Sequence, residues 1–144
     1  MYTEQLTQQL AIVGVKHAIS LNGTDTTITD VDIAKYKRLL FIIDCGVITT
    51  SVDAKLRESK TSGGTYQDVS GAAITQITAN NKTATIEIRA DELDPGYEFV
   101  QLSITTGGAS LIAAVCLGGE GVHKPVGGSV GGNDVAAVTQ RLVV

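Results

Sequence analysis

The chain has 144 residues, a formal net charge of −4, 43% hydrophobic residues and 18% charged residues. This length fits one domain whose core needs neither a metal nor a disulfide framework. Lysine and arginine are not concentrated in any segment and aromatic residues are few, which excludes the positive field and stacking side chains of a nucleic-acid-binding protein. No apolar run approaches the ~20 residues that span a bilayer, and no export signal opens the chain. We therefore expect synthesis in a cytoplasm and no membrane partner.

The first residues differ from the rest of the chain. Thr3 precedes a run of helix formers that extends to Leu10, which predicts a short helix or an N-terminal arm over residues 1–13. Because apolar side chains on a terminal arm gain by leaving water, we expect Leu6 and Leu10 to contact a partner.

Alternating apolar and polar residues then predict strands over residues 52–58, 83–89 and 100–105, with further strands near 14–21, 26–31 and 69–78. Such alternation places one row on a core and the other toward solvent or a partner. The predicted inward rows are Val52, Ala54 and Leu56; Ala84, Ile86 and Ile88; and Val100, Leu102 and Ile104. The outward row of Gln101, Ser103 and Thr105 is a candidate contact surface.

Two runs, 39–43 and 111–117, are apolar throughout. This pattern predicts central strands covered on both faces, although the alanines of the second run also allow a buried helix. With about eight strands and frequent glycine, proline and asparagine turns, residues 14–126 are predicted to form an all-β domain, an antiparallel β-sandwich or jelly roll.

The C-terminal segment, residues 127–144, begins with a glycine-rich hinge and continues as a more apolar tail. We expect the tail either to pack on its own domain or to dock on a neighbouring subunit. Its candidate partner-contact residues are Val135, Val138, Leu142 and Val143.

The sequence offers little chemistry. His17 and His123 have no metal-ligand partner at helical or hairpin spacing, and no nucleophile motif or phosphate-binding loop is present. Cys45 and Cys116 each lie in an apolar run, which favours buried thiols over a disulfide between them. The acidic turn at residues 91–94 is more typical of a solvated loop than of a calcium site. We predict no catalytic residue, no cofactor and no metal, and hence no enzyme.

One resemblance adds to this interpretation. In chain order it is carried by the segments VDIAKYKRLLFIIDCGVI (31–48), AKLRES (54–59), GGTYQDVSGA (63–72), YEFVQLSITTG (97–107), AAVCLG (113–118) and HKPV (123–126). These segments resemble a family of head structural proteins of tailed bacteriophages, similar to jelly-roll cement proteins outside an HK97-type capsid shell. The N-terminal arm and the glycine hinge with its tail lie outside the resemblance.

The resemblance implies a virion structural protein that decorates and stabilises the phage capsid by bridging major capsid subunits. Its expected partners are the major capsid protein and further copies of itself, as a homodimer or homotrimer, on the exterior of the capsid. The alternative is a structural protein of the phage neck, tail or fibre, with glycan binding as its activity.

Overall fold

The computed structural model describes residues 5–122 and residue 138. One short helix and eight strands carry the fold, with 3-10 turns at Ile33–Lys35 and Ala90–Glu92. In chain order the elements are α1 (Leu6–Gln9), β1 (Leu10–Asn22), β2 (Asp25–Asp32), β3 (Tyr36–Ile48), β4 (Val52–Ser59), β5 (Gln67–Ala73), β6 (Lys82–Arg89), β7 (Phe99–Thr106) and β8 (Ala109–Gly121).

The strands form two four-stranded sheets in which every neighbouring pair is antiparallel. Sheet A has the order β1-β8-β3-β6, and sheet B has the order β2-β7-β4-β5. Most consecutive strands alternate between the sheets, so the chain wraps around the core as in a jelly roll. The predicted all-β sandwich is confirmed.

The core lies between the two sheets and is built from the predicted inward rows. Leu56 of β4 and Leu102 and Ile104 of β7 are fully buried from the side of sheet B. Leu39, Phe41 and Ile43 of β3 meet them from sheet A and are also fully buried. Period-two alternation produces this arrangement because successive side chains of a strand point to opposite faces.

The strand boundaries differ from the prediction at both edges of the sandwich. β1 begins at Leu10, so the last four residues of the predicted arm, 10–13, belong to the strand. β5 ends at Ala73, and beyond it only Ile77 makes an isolated bridge, to Val52. Among the described residues, no helix is long and apolar enough to cross a membrane.

The two fully apolar runs were interpreted only partly correctly. Residues 111–117 lie in β8 and are therefore strand, not helix. Both β3 and β8 are inner strands of sheet A, as predicted. In the described part of the chain the expected cover on both faces is incomplete, because only alternate residues are buried: Leu40 and Ile42 remain half-buried, and Leu111 is 47% exposed.

Candidate interaction surfaces

The cysteines offer no reactive site. In sheet A, Cys45 lies opposite Ile112 and Cys116 lies opposite Phe41, so four residues, or roughly 13 Å, separate them along the strands. Both thiols are free and buried, and the disulfide alternative is therefore wrong. Burial raises the pKa of both thiols, with the Asp44 carboxylate adding to the effect at Cys45. A thiol held protonated in this way is a poor nucleophile.

In the described part of the chain, the residues of the types that bind metal ions do not lie close together. His17 is exposed on β1, and His123 lies outside the described residues. Across residues 5–122, no group of three or more His, Cys, Asp or Glu side chains can hold a metal ion. The acidic turn uses its carboxylates internally: the Arg89 N–H donates to Glu92 at 2.8 Å, and the Arg89 guanidinium lies 3.4 Å from Asp91.

The outer face of sheet B carries a row of linked polar side chains. Lys55 donates to one oxygen of Asp68 at 2.7 Å, and Arg57 Nε donates to the other at 3.2 Å. Arg57 also donates to the Gln101 side-chain oxygen at 3.3 Å, and Gln101 in turn donates to the Thr29 hydroxyl at 3.3 Å. The two cations lower the pKa of Asp68. This polar row crosses all four strands of sheet B. Gln101 is itself buried, so its place in the predicted outward row of Gln101, Ser103 and Thr105 is wrong, and only the other two reach the surface.

The polar row ends at β2, the edge strand of sheet B. There a group of hydrogen bonds, called here a lock, links Asp30 of β2 to the loop before β5. The Tyr66 hydroxyl donates to the Asp30 carboxylate at 2.6 Å, and the Gly63 N–H donates to the same oxygen at 2.8 Å. These hydrogen bonds lower the pKa of Asp30. Burial and the bond to Asp30 raise the pKa of Tyr66. Asp30 adopts a left-handed backbone (φ 56°) inside the bulge of β2, which aims its carboxylate at the loop.

A second set of hydrogen bonds lies where β4, β5 and the acidic turn meet. Glu58 is 1% exposed, and its carboxylate accepts from the Gln67 amide at 2.9 Å and from the Asp94 backbone N–H at 3.0 Å. Gln67 also donates to the Asp94 carboxylate at 2.9 Å and accepts from the Tyr97 hydroxyl at 3.1 Å. The acidic turn is thus fastened to β4 and β5, which gives it a structural role.

The outer face of sheet A has the opposite chemistry. Cross-strand register places Leu40 opposite Leu117, and Ile42 opposite Val115, and residues paired in this way share a face of the sheet. Their sequence neighbours Leu39, Phe41, Ile43 and Cys116 point inward and are buried, so these four apolar side chains point outward. Val15 of β1 lies opposite Val115 and extends the same patch.

This patch, named here the apolar face, consists of the outward side chains of Val15, Leu40, Ile42, Leu111, Ala113, Val115 and Leu117. Val47, which is 58% exposed, lies beyond it at the far end of β3. Polar and charged groups flank it. Glu87 of β6 lies opposite Leu40, and the Arg38 guanidinium lies 3.6 Å from Glu87 and 3.5 Å from Glu120. At the other end, Asp44 accepts from the Thr83 hydroxyl. An apolar centre with a polar rim is the usual anatomy of a protein interface.

A shallow groove of about 280 Å³ lies at the basic end of sheet A. Lys37, Arg38, Arg89, Ala90, Asp91 and Glu120 line it. The ion pairs of Arg38 with Glu120 and of Arg89 with Asp91 neutralise much of its charge. Its lining residues do not include a nucleophile paired with a base, so we assign no reaction to the groove.

The sequence-predicted contact residues are only partly within the described structure. Leu6 lies in α1 and is 67% exposed, and Leu10 opens β1 opposite Gly119, on the same outer face of sheet A as the apolar face. Val138 is half-buried. Val135, Leu142 and Val143 lie outside the described residues. The apolar face itself was missed, although two unbroken apolar runs were the signal for it.

Comparisons with known proteins leave the chain without a family. No protein-family model matches it, and no curated protein matches its sequence. Among solved structures it is similar to the family 11 carbohydrate-binding module from Clostridium thermocellum, in complex with a β-1,3-1,4-mixed-linked tetrasaccharide. The identity is 16% and the TM-score 0.37, over 85% of this chain and 94% of that chain. The fold assignment therefore rests on the strand pairing described above.

Proposed function

We propose that the protein is a virion structural protein that decorates an HK97-type phage capsid and stabilises it by bridging major capsid subunits. The proposal joins the sequence resemblance given above to one structural observation. The two sheets of a single sandwich present outer faces of opposite chemistry, one apolar and one polar. A bridging protein needs two distinct contact surfaces on one stiff body, and this arrangement supplies them.

The physical advantage of such a protein is repetition. A shell under internal DNA pressure is reinforced when many copies each add an interface of ~1,000–2,000 Å². The gain multiplies because each copy holds two neighbours at once, which raises their effective concentration for one another. The proposal includes no catalytic step, in keeping with the scattered positions of His17, Cys45 and Cys116.

The direct test is the number and position of copies on the particle. Expanded heads that lack the protein are mixed with the purified full chain, and cryo-electron microscopy counts the bound copies. We expect saturable binding of hundreds of copies over the shell, together with a higher temperature of DNA release. A few copies confined to the neck or tail, or no binding, would contradict the proposal.

The alternative, a neck, tail or fibre protein that binds glycans, stays a prediction. Sugar recognition uses exposed aromatic rings and free hydrogen-bonding groups. At the edge of sheet B, the Tyr66 hydroxyl is bonded to Asp30, and the Lys60 ammonium lies 5.0 Å from the centre of the Tyr97 ring. We therefore rank this alternative second, and a glycan array with the full chain tests it separately.

A further inference from the structure

The apolar face has a sequence pattern that the described residues explain only in part. Unbroken apolar runs are typical of strands covered on both faces. Sheet B covers the inner face of sheet A, but on the outer face Leu40 and Ile42 stay half-buried and Leu111 is 47% exposed. The outer face of sheet B presents Ser103 and Thr105 instead. An apolar segment that packs on the outside of this sandwich therefore has its matching surface on sheet A.

We propose that the apolar face binds the chain's own C-terminal tail, residues 133–144. The tail carries five large apolar side chains, which are those of Val135, Val138, Leu142, Val143 and Val144. Val138, which the structure describes, is half-buried, in agreement with a tail that lies against protein. The inference goes beyond the proposed function, because it concerns the free chain and does not depend on a capsid.

The chain leaves β8 beside the apolar face. The last residue of β8, Gly121, pairs with Tyr36 of β3, and the Val122 N–H then donates to the Lys35 carbonyl at 3.0 Å. Because β8 lies between β1 and β3, the chain departs from the middle of sheet A and not from its edge. The core occupies the inner face of the sheet, so the outer face is the one along which a returning segment can lie.

The length of the tail fits this path. From Gly121 back to Leu111, the face extends over ten residues of β8, or about 33 Å at 3.3 Å per residue. Residues 123–132 include four glycines and are long enough for a reversal of direction. The twelve residues 133–144 span up to about 40 Å when extended, and about 18 Å at the rise of a helix. Either span covers half of the face or more.

The covalent connection favours the tail over a second copy of the chain or an unlike partner. A segment tethered by about ten flexible residues has an effective concentration in the millimolar range at a surface that it can reach. A separate molecule of equal intrinsic affinity, present at micromolar concentration, competes at a disadvantage of about a thousandfold. A capsid subunit that contacts the apolar face must accordingly displace the tail first.

The test measures how fast a cysteine at the centre of the apolar face reacts with a thiol reagent in the full chain. Val115 lies opposite both Ile42 and Val15, and Val115→Cys places a thiol there with little change in volume. Mass spectrometry follows the labelling at low micromolar protein concentration, where the buried native thiols react slowly. We expect labelling at least about tenfold slower than in the same variant with Leu142→Lys, because a charge in the tail favours the open state.

Two controls separate the cover from general effects on the fold. Gln140→Lys adds the same charge at a polar position of the tail, so it should leave the labelling slow. Ser103→Cys places a thiol on the outer face of β7, where Ser103 is half-buried like Val115 and β7 is an inner strand of sheet B. Its labelling should be equally fast with and without Leu142→Lys. Circular dichroism checks that every variant keeps the strand content of the wild type.

The contrary outcomes are distinct from one another. Labelling of Val115→Cys as fast as that of Ser103→Cys, or slow labelling that Leu142→Lys leaves unchanged, would overturn the inference. Protection that rises with protein concentration would also overturn it and assign the cover to a second copy.

The outcomes for this inference and for the proposed function are separable. Protection in the free chain together with no binding to heads supports the inference and contradicts the capsid role. Fast labelling of Val115→Cys in the free chain, with protection only on heads, overturns the inference and assigns the apolar face to the capsid.

Discussion

Replacement of Tyr66 by phenylalanine tests the lock between β2 and the loop before β5. The change removes a 2.6 Å hydrogen bond to the Asp30 carboxylate and the acceptor for the Asp30 N–H at 3.1 Å. A hydrogen bond to a charged group contributes about 1.5–3 kcal/mol, and partial exposure of Asp30 places this one at the low end. We expect a loss of about 1.5 kcal/mol in the free energy of unfolding at pH 7, or about 5 °C in Tm.

The same variant has a pH signature with a defined sign. The folded-state pKa of Asp30 is lowered, so its stabilisation is fully present above the unfolded-state value near 3.9. That stabilisation disappears as the pH falls through the folded pKa. The difference between wild type and Tyr66→Phe should therefore be constant from pH 7 to pH 5 and shrink toward pH 2.

Urea unfolding at several pH values measures both quantities. Tyr97→Phe is the matched control, because its hydroxyl donates to the neutral Gln67 side chain at 3.1 Å. It should cost about 1 kcal/mol with no loss of effect in acid. A double-mutant cycle with Asp30→Asn should give a coupling above ~1 kcal/mol with Tyr66→Phe. A coupling near zero, or a Tyr66→Phe cost that is the same at pH 7 and pH 2, would refute the reasoning.

Three further outcomes are expected from the described contacts. Gly14→Ala should destabilise the fold by about 2–3 kcal/mol in urea unfolding, because the added Cβ would meet Ile28 at 2.5 Å and Cys116 at 3.3 Å. Cys45 and Cys116 should react with a thiol reagent only as fast as the protein unfolds, and fast labelling in the native state would contradict their burial. The Asp68 carboxyl should titrate below its ordinary range by NMR and return toward that range in Lys55→Met, because Lys55 donates to it.

Much of the fold was predictable because the buried rows follow the two-residue alternation of a β-strand, which can be recognised in a short stretch of sequence. Alternation in residues 52–58 and 100–105 requires one buried face, and Leu56 and Leu102 indeed lie opposite each other on neighbouring strands. Which strands pair was not predictable from this rule. The jelly-roll order depends on contacts between residues far apart in sequence, such as Leu39 of β3 with Gly118 of β8.

The polar locks were missed for a related reason. Asp30 and Tyr66 are 36 residues apart, and their contact depends on a bulge that gives Asp30 a positive φ. Aspartate tolerates this backbone region better than most residues, but nothing local in the sequence requires it. Alternating carboxylates such as those of Asp30 and Asp32 are also typical of an edge strand, where they discourage unwanted pairing. β2 is indeed an edge strand, but Asp30 serves the loop and Asp32 caps the 3-10 turn through the Ala34 N–H.

Residues 39–43 and 111–117 show what an unbroken apolar run indicates about the burial of a strand's two faces. An unbroken apolar run reports that both faces of a strand are removed from water, but not whether the same chain removes them. In the described part of the chain, sheet B covers the inner face, and the outer face stays apolar and partly exposed. The difference between the prediction and the structure is thus what reveals the apolar face.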